Sequence, residues 1–150
     1  MKLAIGCDEA GYKLKEIIKA HLAECGQAVT DFGVADGETA LYPNIAFAVA
    51  NSVAGQNHDR AILICGTGIG MCISANKVVG VRAAQAHDTY SAERAKKSNN
   101  AQILCLGALV IGYELAKTIV DAWRNSHFEP GRSSPKVNLI VQYEAANKTI

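Results

Sequence analysis

Apolar positions along the 150 residues fall into two patterns, short continuous runs and stretches with helical spacing. Leu3 to Cys7 is a continuous run ended by Asp8. From Gly11 to Cys25 the positions Leu14, Ile17, Ile18 and Leu22, with His21 beside them, recur every three or four residues. The first pattern predicts a buried strand and the second an amphipathic helix. Gly26 supplies the helix stop, Ala28 to Phe32 predicts a second strand, and residues 33–41 read as a polar loop. Pro43 suits the first turn of a helix reaching about Val53, with Ile45, Val49 and Val53 on its apolar face. Ala61 to Ile64 predicts a third strand, followed by glycines and a renewed helical spacing. Gly80 to Ala86 predicts a fourth strand and Ile103 to Leu106 a fifth. Helices are expected over Tyr90–Ser98, capped by Asp88 or Thr89 and broken by Asn99-Asn100, over Tyr113–Asn125, and over Val137–Asn147.

Strands that alternate with helices predict a parallel sheet covered on both faces, a Rossmann-like three-layer α/β/α domain with a five-stranded sheet. At 150 residues and 49% hydrophobic, the chain fits one domain over residues 1–150. Its charge of +1, from 15 basic and 14 acidic residues without long runs, points away from nucleic acid and anionic membranes and toward a small partner. Five cysteines, at 7, 25, 65, 72 and 105, are an odd number in apolar surroundings and imply a reducing cytoplasm. Cys65 and Cys72 lack a matching Cys/His pair, so no metal is expected at the site. The N-terminal run is too short for a signal peptide, and no stretch is apolar enough to span a bilayer.

In such a sheet, sites form where strands end. Asp8, Cys65, His87-Asp88 and Gly107 all fall just after predicted strands. Cys65 is followed by Gly66, Gly68 and Gly70, which let the backbone turn and aim N–H groups inward as an anion cradle beside a thiol. A buried structural cysteine before a glycine turn is the plainer alternative. The glycine spacing departs from the dinucleotide fingerprint, Met71 stands where a phosphatase loop needs arginine, and no Gly-Lys-Ser/Thr is present. A thiolate at an oxyanion cradle suits removal of a carbon-bound proton next to a carbonyl, as in aldose–ketose isomerisation.

Gly6-Cys-Asp8, Tyr42-Pro43, Cys65-Gly-Thr-Gly-Ile-Gly70, Ile73-Ser-Ala-Asn-Lys-Val78, Gly80-Val-Arg-Ala83, Asn99-Asn-Ala101, Gly107, Gly112 and Gly131-Arg132 occur in this order. Together they resemble the ribose 5-phosphate isomerase B and galactose 6-phosphate isomerase family over about residues 1–145. The resemblance implies a cofactor-independent isomerase of a phosphorylated sugar, working through an enediolate, in a homodimer or tetramer with its sites at the subunit interface. It also implies the ribose 5-phosphate/ribulose 5-phosphate couple of the pentose phosphate pathway or a related short sugar. Cys65 matches the base, and Thr67 with Gly66, Gly68, Ile69 and Gly70 matches the loop around the substrate oxygens. Asp8 matches a contact to sugar hydroxyls, Tyr42 lies in a matching motif, and Asn99 matches a residue at the enediolate. Arg132 matches a phosphate anchor, and Lys136 stands where a second arginine is usual, keeping charge without the bidentate fork. The segment 131–150 is expected to be helical and to pack on a partner subunit.

Three positions depart from that pattern. Glu9 and Ser98 stand where the family usually has histidine, and Leu109 where it has arginine. The histidine replaced by Ser98 is implied to open a furanose ring. A tetrose 4-phosphate has its O4 esterified and forms no such ring, so Ser98 fits an erythrose/erythrulose 4-phosphate isomerase; the segment from His87 to Gln102 resembles that branch. The same three departures also suit a non-catalytic, sugar-phosphate-binding or regulatory member.

Overall fold

The computed structural model describes residues 1–147, so positions 148–150 of the expected C-terminal segment lie outside the described residues. Five strands, β1 (Leu3–Cys7), β2 (Val29–Asp31), β3 (Arg60–Cys65), β4 (Ala83–Gln85) and β5 (Ile103–Gly107), form one parallel sheet in the order β2-β1-β3-β5-β4. Every residue of β1, β3 and β5 is buried, which explains why these strands read as continuous apolar runs. β2 and β4 lie at the sheet edges and are shorter than their apolar stretches predict. Gly80 takes a left-handed φ of +84° and Val81 closes a turn on Val78, which delays the start of β4 to Ala83.

The helices are α1 (Tyr12–Glu24), α2 (Tyr42–Ala54), α3 (Ile69–Ala75), α4 (Thr89–Lys97), α5 (Tyr113–Arg124) and α6 (Ser134–Ala146). α4 and α5 pack together with α1 beside α5, while α2 packs on α3. These two groups cover opposite faces and complete the three-layer arrangement expected from the sequence. A single core runs between them, from Leu14, Ile18 and Leu22 of α1, through the central strands, to Val49 of α2 and Met71 of α3. Asp88 accepts the N–H of Ser91 at 2.7 Å and caps α4. A single turn of 3-10 helix, Glu9–Gly11, precedes α1 and falls where the apolar spacing gave no signal. Among the described residues, no helix is long and apolar enough to cross a membrane.

From β1 the chain passes to β2 on one side and returns to β3 on the other. That reversal leaves a crevice at the ends of β1 and β3, the position where open parallel sheets hold ligands.

Candidate active site

Asp8 follows the last residue of β1, and its Oδ1 accepts the N–H of Gly11 at 3.1 Å, capping the 3-10 turn. Burial raises its carboxyl above the usual carboxylate range, and the Gly11 N–H acts the other way. Across the crevice, Cys65 is the last residue of β3 and is 5% exposed; its Sγ accepts the N–H of Gly68 at 3.1 Å. The hydroxyl of Thr67 accepts the N–H of Ile69 at 3.3 Å. A strand, a turn that points back at its own terminal thiol, and a helix thus follow each other within eleven residues, 65–75.

Two glycines in this turn meet hard steric limits. Gly68 has φ +78°, and a Cβ there would lie 2.9 Å from the carbonyl carbon of Leu106. A Cβ on Gly70 would lie 2.5 Å from the ring of Tyr42, so the tyrosine packs directly on backbone and walls one side of the crevice. The turn is held from the far side. Ala108 N–H donates to Cys65 O at 2.9 Å, Leu109 N–H to Gly66 O at 3.0 Å, and Gln85 Nε2 to Thr67 O at 2.6 Å. The carbonyls are therefore drawn toward β4 and β5. The N–H groups of residues 70 and 71, in the first turn of α3, have no intrahelical acceptor and remain available to an anion.

Asp8, Tyr42, Cys65, Gly66, Thr67, Ile69 and Gly70 come together, with Ile73, around one cavity of about 430 Å³. Gly68 lies behind it in the turn. Glu9 faces an adjoining cavity with Leu109, Asp36 and Glu38, and its Oε2 accepts the N–H of Ala40 at 3.3 Å. Leu109 is 81% exposed beside Gly66 and separates the two spaces.

Ser98, Asn99, Arg132 and Lys136 are not brought to this cavity within the chain. Ser98 ends α4, and the Asn99 carbonyl accepts Arg82 Nε at 3.2 Å. Both precede Ile103, which pairs with Ala61 at the start of the sheet, whereas Cys65 pairs with Gly107 at its end. The two edges are one strand length apart, about 13 Å. Arg132 and Lys136 flank the start of α6 and are exposed; nearby, Glu129 N–H donates to Lys97 O at 3.0 Å at the strand-start edge.

That edge is densely cationic. Arg60 donates to the carbonyls of Trp123, Arg124 and Ser126 at 3.0, 3.0 and 2.7 Å. Lys96 is buried with its Nζ on Asn100 Oδ1 at 2.7 Å, and burial, reinforced by Arg60 and Arg82, lowers its pKa to about 8.

Sequence reasoning missed the Gln85 anchor, because a polar residue in an edge strand carries no local signal for a contact with Thr67. His87 is engaged with the backbone: its Nε2 accepts the Gly107 N–H at 2.9 Å. Cys72, half-buried on α3, has a pKa lowered to about 7, chiefly by a hydrogen bond from Cys105, whose own thiol burial pushes up. Cys72 does not line the cavity, so this shift lies outside it.

A sequence profile of the family described as Ribose/Galactose Isomerase matches residues 3–140. The chain is 54% identical over 148 residues to the "Ribose-5-P isomerase B" of Listeria innocua, covering 99% of this chain and 100% of that one. It is 53% identical over 149 residues to the "D-erythrulose-4-phosphate isomerase" of Pectobacterium atrosepticum, covering 99% and 98%. Among solved structures, the ribose-5-phosphate isomerase B of Clostridium thermocellum superposes with a TM-score of 0.94 at 42% identity, over 97% of this chain and 99% of that one.

Proposed function

The chain belongs to the ribose/galactose isomerase family, and from that premise we propose that it interconverts the aldose and ketose forms of a short phosphorylated sugar with Cys65 as the base. The observation that carries this reading is the Cys65 thiol facing Asp8 and Tyr42 across one cavity, with the N–H groups of α3 at its rim. In the aldose-to-ketose direction Cys65 takes the proton from C2. The electron pair moves into a C1–C2 double bond, and the charge on O1 is met by the N–H groups of the glycine turn. The proton then returns to C1 while one proton passes from O2 to O1; the Asp8 carboxyl, whose pKa burial raises, faces the cavity where that exchange takes place. Carbon is oxidised at C2 and reduced at C1 within one molecule, so the balance calls for no cofactor. The five unpaired cysteines suit the reducing cytoplasm as its compartment.

Two subunits then share each site. Asn99 and Ser98 are a strand length from the thiol of their own chain, and Arg132 lies with them on that side. α6 buries only Val137 in its own chain while Leu139, Ile140, Val141 and Tyr143 are exposed, apolar side chains suited to burial against a second copy. In the assembled site Asn99 approaches the enediolate, and Arg132 with Lys136 holds the phosphate. In the space beside Glu9 and Leu109, Asp36 and Glu38 add carboxylates that disfavour phosphate and Lys13 is the cation in the lining, and Ser98 offers no imidazole for ring opening. Both features favour a tetrose 4-phosphate over ribose 5-phosphate.

Mixing inactive Cys65→Ala and Asn99→Ala subunits after joint unfolding tests the shared site. A dimer of one of each retains one complete site, and activity returns to about one quarter of wild type. Recovery of nothing, with hybrid dimers demonstrated, would refute sharing. Turnover of erythrose 4-phosphate, ribose 5-phosphate and a hexose 6-phosphate, compared side by side, identifies the sugar; a preference for ribose 5-phosphate removes the argument from Ser98. The same three departures also favour a second reading, a binding protein without turnover, and sugar-phosphate binding with no isomerisation of any of the three would establish it.

A further inference from the structure

Away from the crevice, three donor atoms converge at the strand-start edge. His21 and Cys25 are four residues apart, so the last turn of α1 and its C-cap set them on one side of the helix. α5 supplies Asp121 from a hundred positions along the chain. His21 Nε2, Cys25 Sγ and an Asp121 oxygen all lie within 4.8 Å of one another, and His21 Nε2 is 2.8 Å from Asp121 Oδ2.

We propose that His21, Cys25 and Asp121 form a zinc site that clamps α1 to α5, with water as the fourth ligand. A thiolate and an imidazole select zinc over magnesium or calcium, and one carboxylate, also a zinc ligand, completes three protein ligands. Bond lengths of about 2.0–2.3 Å place tetrahedral donors roughly 3.3–3.7 Å apart. The present spread closes to that by rotation of Cys25, which is exposed and free to turn. The ion replaces the hydrogen bond between His21 and Asp121, and the thiol proton leaves to solvent, so affinity rises with pH. Arg124 Nη2 sits 3.3 Å from the other oxygen, Asp121 Oδ1. It fixes the carboxylate's orientation, and its charge keeps the affinity moderate. The carbonyl end of α1 adds a negative potential. α1 and α5 run antiparallel to the strands they follow, so the ion sits at the edge opposite Cys65 and takes no part in proton transfer.

Cobalt(II) titrated into the full-length protein is the test, because a cobalt–thiolate bond gives a charge-transfer band in the near ultraviolet. The wild type develops the band at one equivalent and loses it to added zinc. Cys25→Ser, a change at an exposed position, abolishes the band, lowers zinc affinity at least tenfold and leaves isomerase turnover unchanged. Asp121→Asn, which removes the charged oxygen ligand and leaves the thiolate, keeps the band with affinity reduced at least about tenfold. Absence of the band in the wild type, or its full persistence in Cys25→Ser, which would put the metal on another thiol, overturns the proposal.

Discussion

The two edges of the sheet use the same backbone chemistry in opposite ways. At the strand-start edge, carbonyls are the unsatisfied groups, and long cationic side chains reach them: Arg60 ties three carbonyls of the α5 terminus and Arg82 ties those of Asn99 and Asn100. At the strand-end edge, the Cys65, Gly66 and Thr67 carbonyls are drawn back by Ala108, Leu109 and Gln85, and N–H groups are left facing the cavity. One edge has spent its donors on holding elements together. The other keeps donors in reserve, beside a thiol and a half-buried carboxyl, where developing negative charge can use them.

Substitutions at the two edges should therefore separate activity from stability. Cys65→Ala is expected to lower kcat by roughly 10²–10⁴-fold or more, with circular dichroism and the melting temperature close to wild type. Undiminished turnover would end the assignment of the base and, with it, the contrast drawn between the edges. Arg60→Met should do the reverse. It leaves three carbonyls without their charged donor and lowers unfolding free energy by about 3 kcal/mol in urea, while kcat/KM of the remaining folded protein holds. Gly70→Ala tests the packing between backbone and ring. The added methyl displaces Tyr42, and kcat/KM is expected to fall about tenfold for a loss of about 1–3 kcal/mol in stability. A fall in stability alone would mean that Tyr42 only walls the crevice.

A further effect, on stability alone, concerns Lys96. Its folded pKa is about 8 against an ordinary 10.5, so between those values the unfolded chain binds more protons than the fold. Wild-type stability consequently rises as pH goes from about 8 to about 10.5, by up to about 3 kcal/mol, and below pH 8 the buried ammonium opposes folding. Lys96→Met should be more stable than wild type at pH 7 and lose this rise. Urea denaturation of both proteins at pH 7, 8 and 10 measures it, and parallel pH dependences would show that Lys96 stays charged throughout.

The sequence by itself determined the alternation of strands and helices, the three-layer class and the loop from Cys65 to Gly70. These depend on periodicity within a single element and on turn residues next to each other, which are local properties. It also placed Asp8 and Cys65 at strand ends. The tertiary structure alone decided that these two face each other, because the order β2-β1-β3-β5-β4 sets which strand ends adjoin and no local pattern encodes strand order. Gln85 reaching Thr67 and Asp121 reaching His21 follow from that same order and the helix packing above it. It likewise put Ser98 and Asn99 at the far edge. A helix following a parallel strand must run back along it, so residues between α4 and β5 emerge where strands begin, a full strand length from the thiol of their own chain.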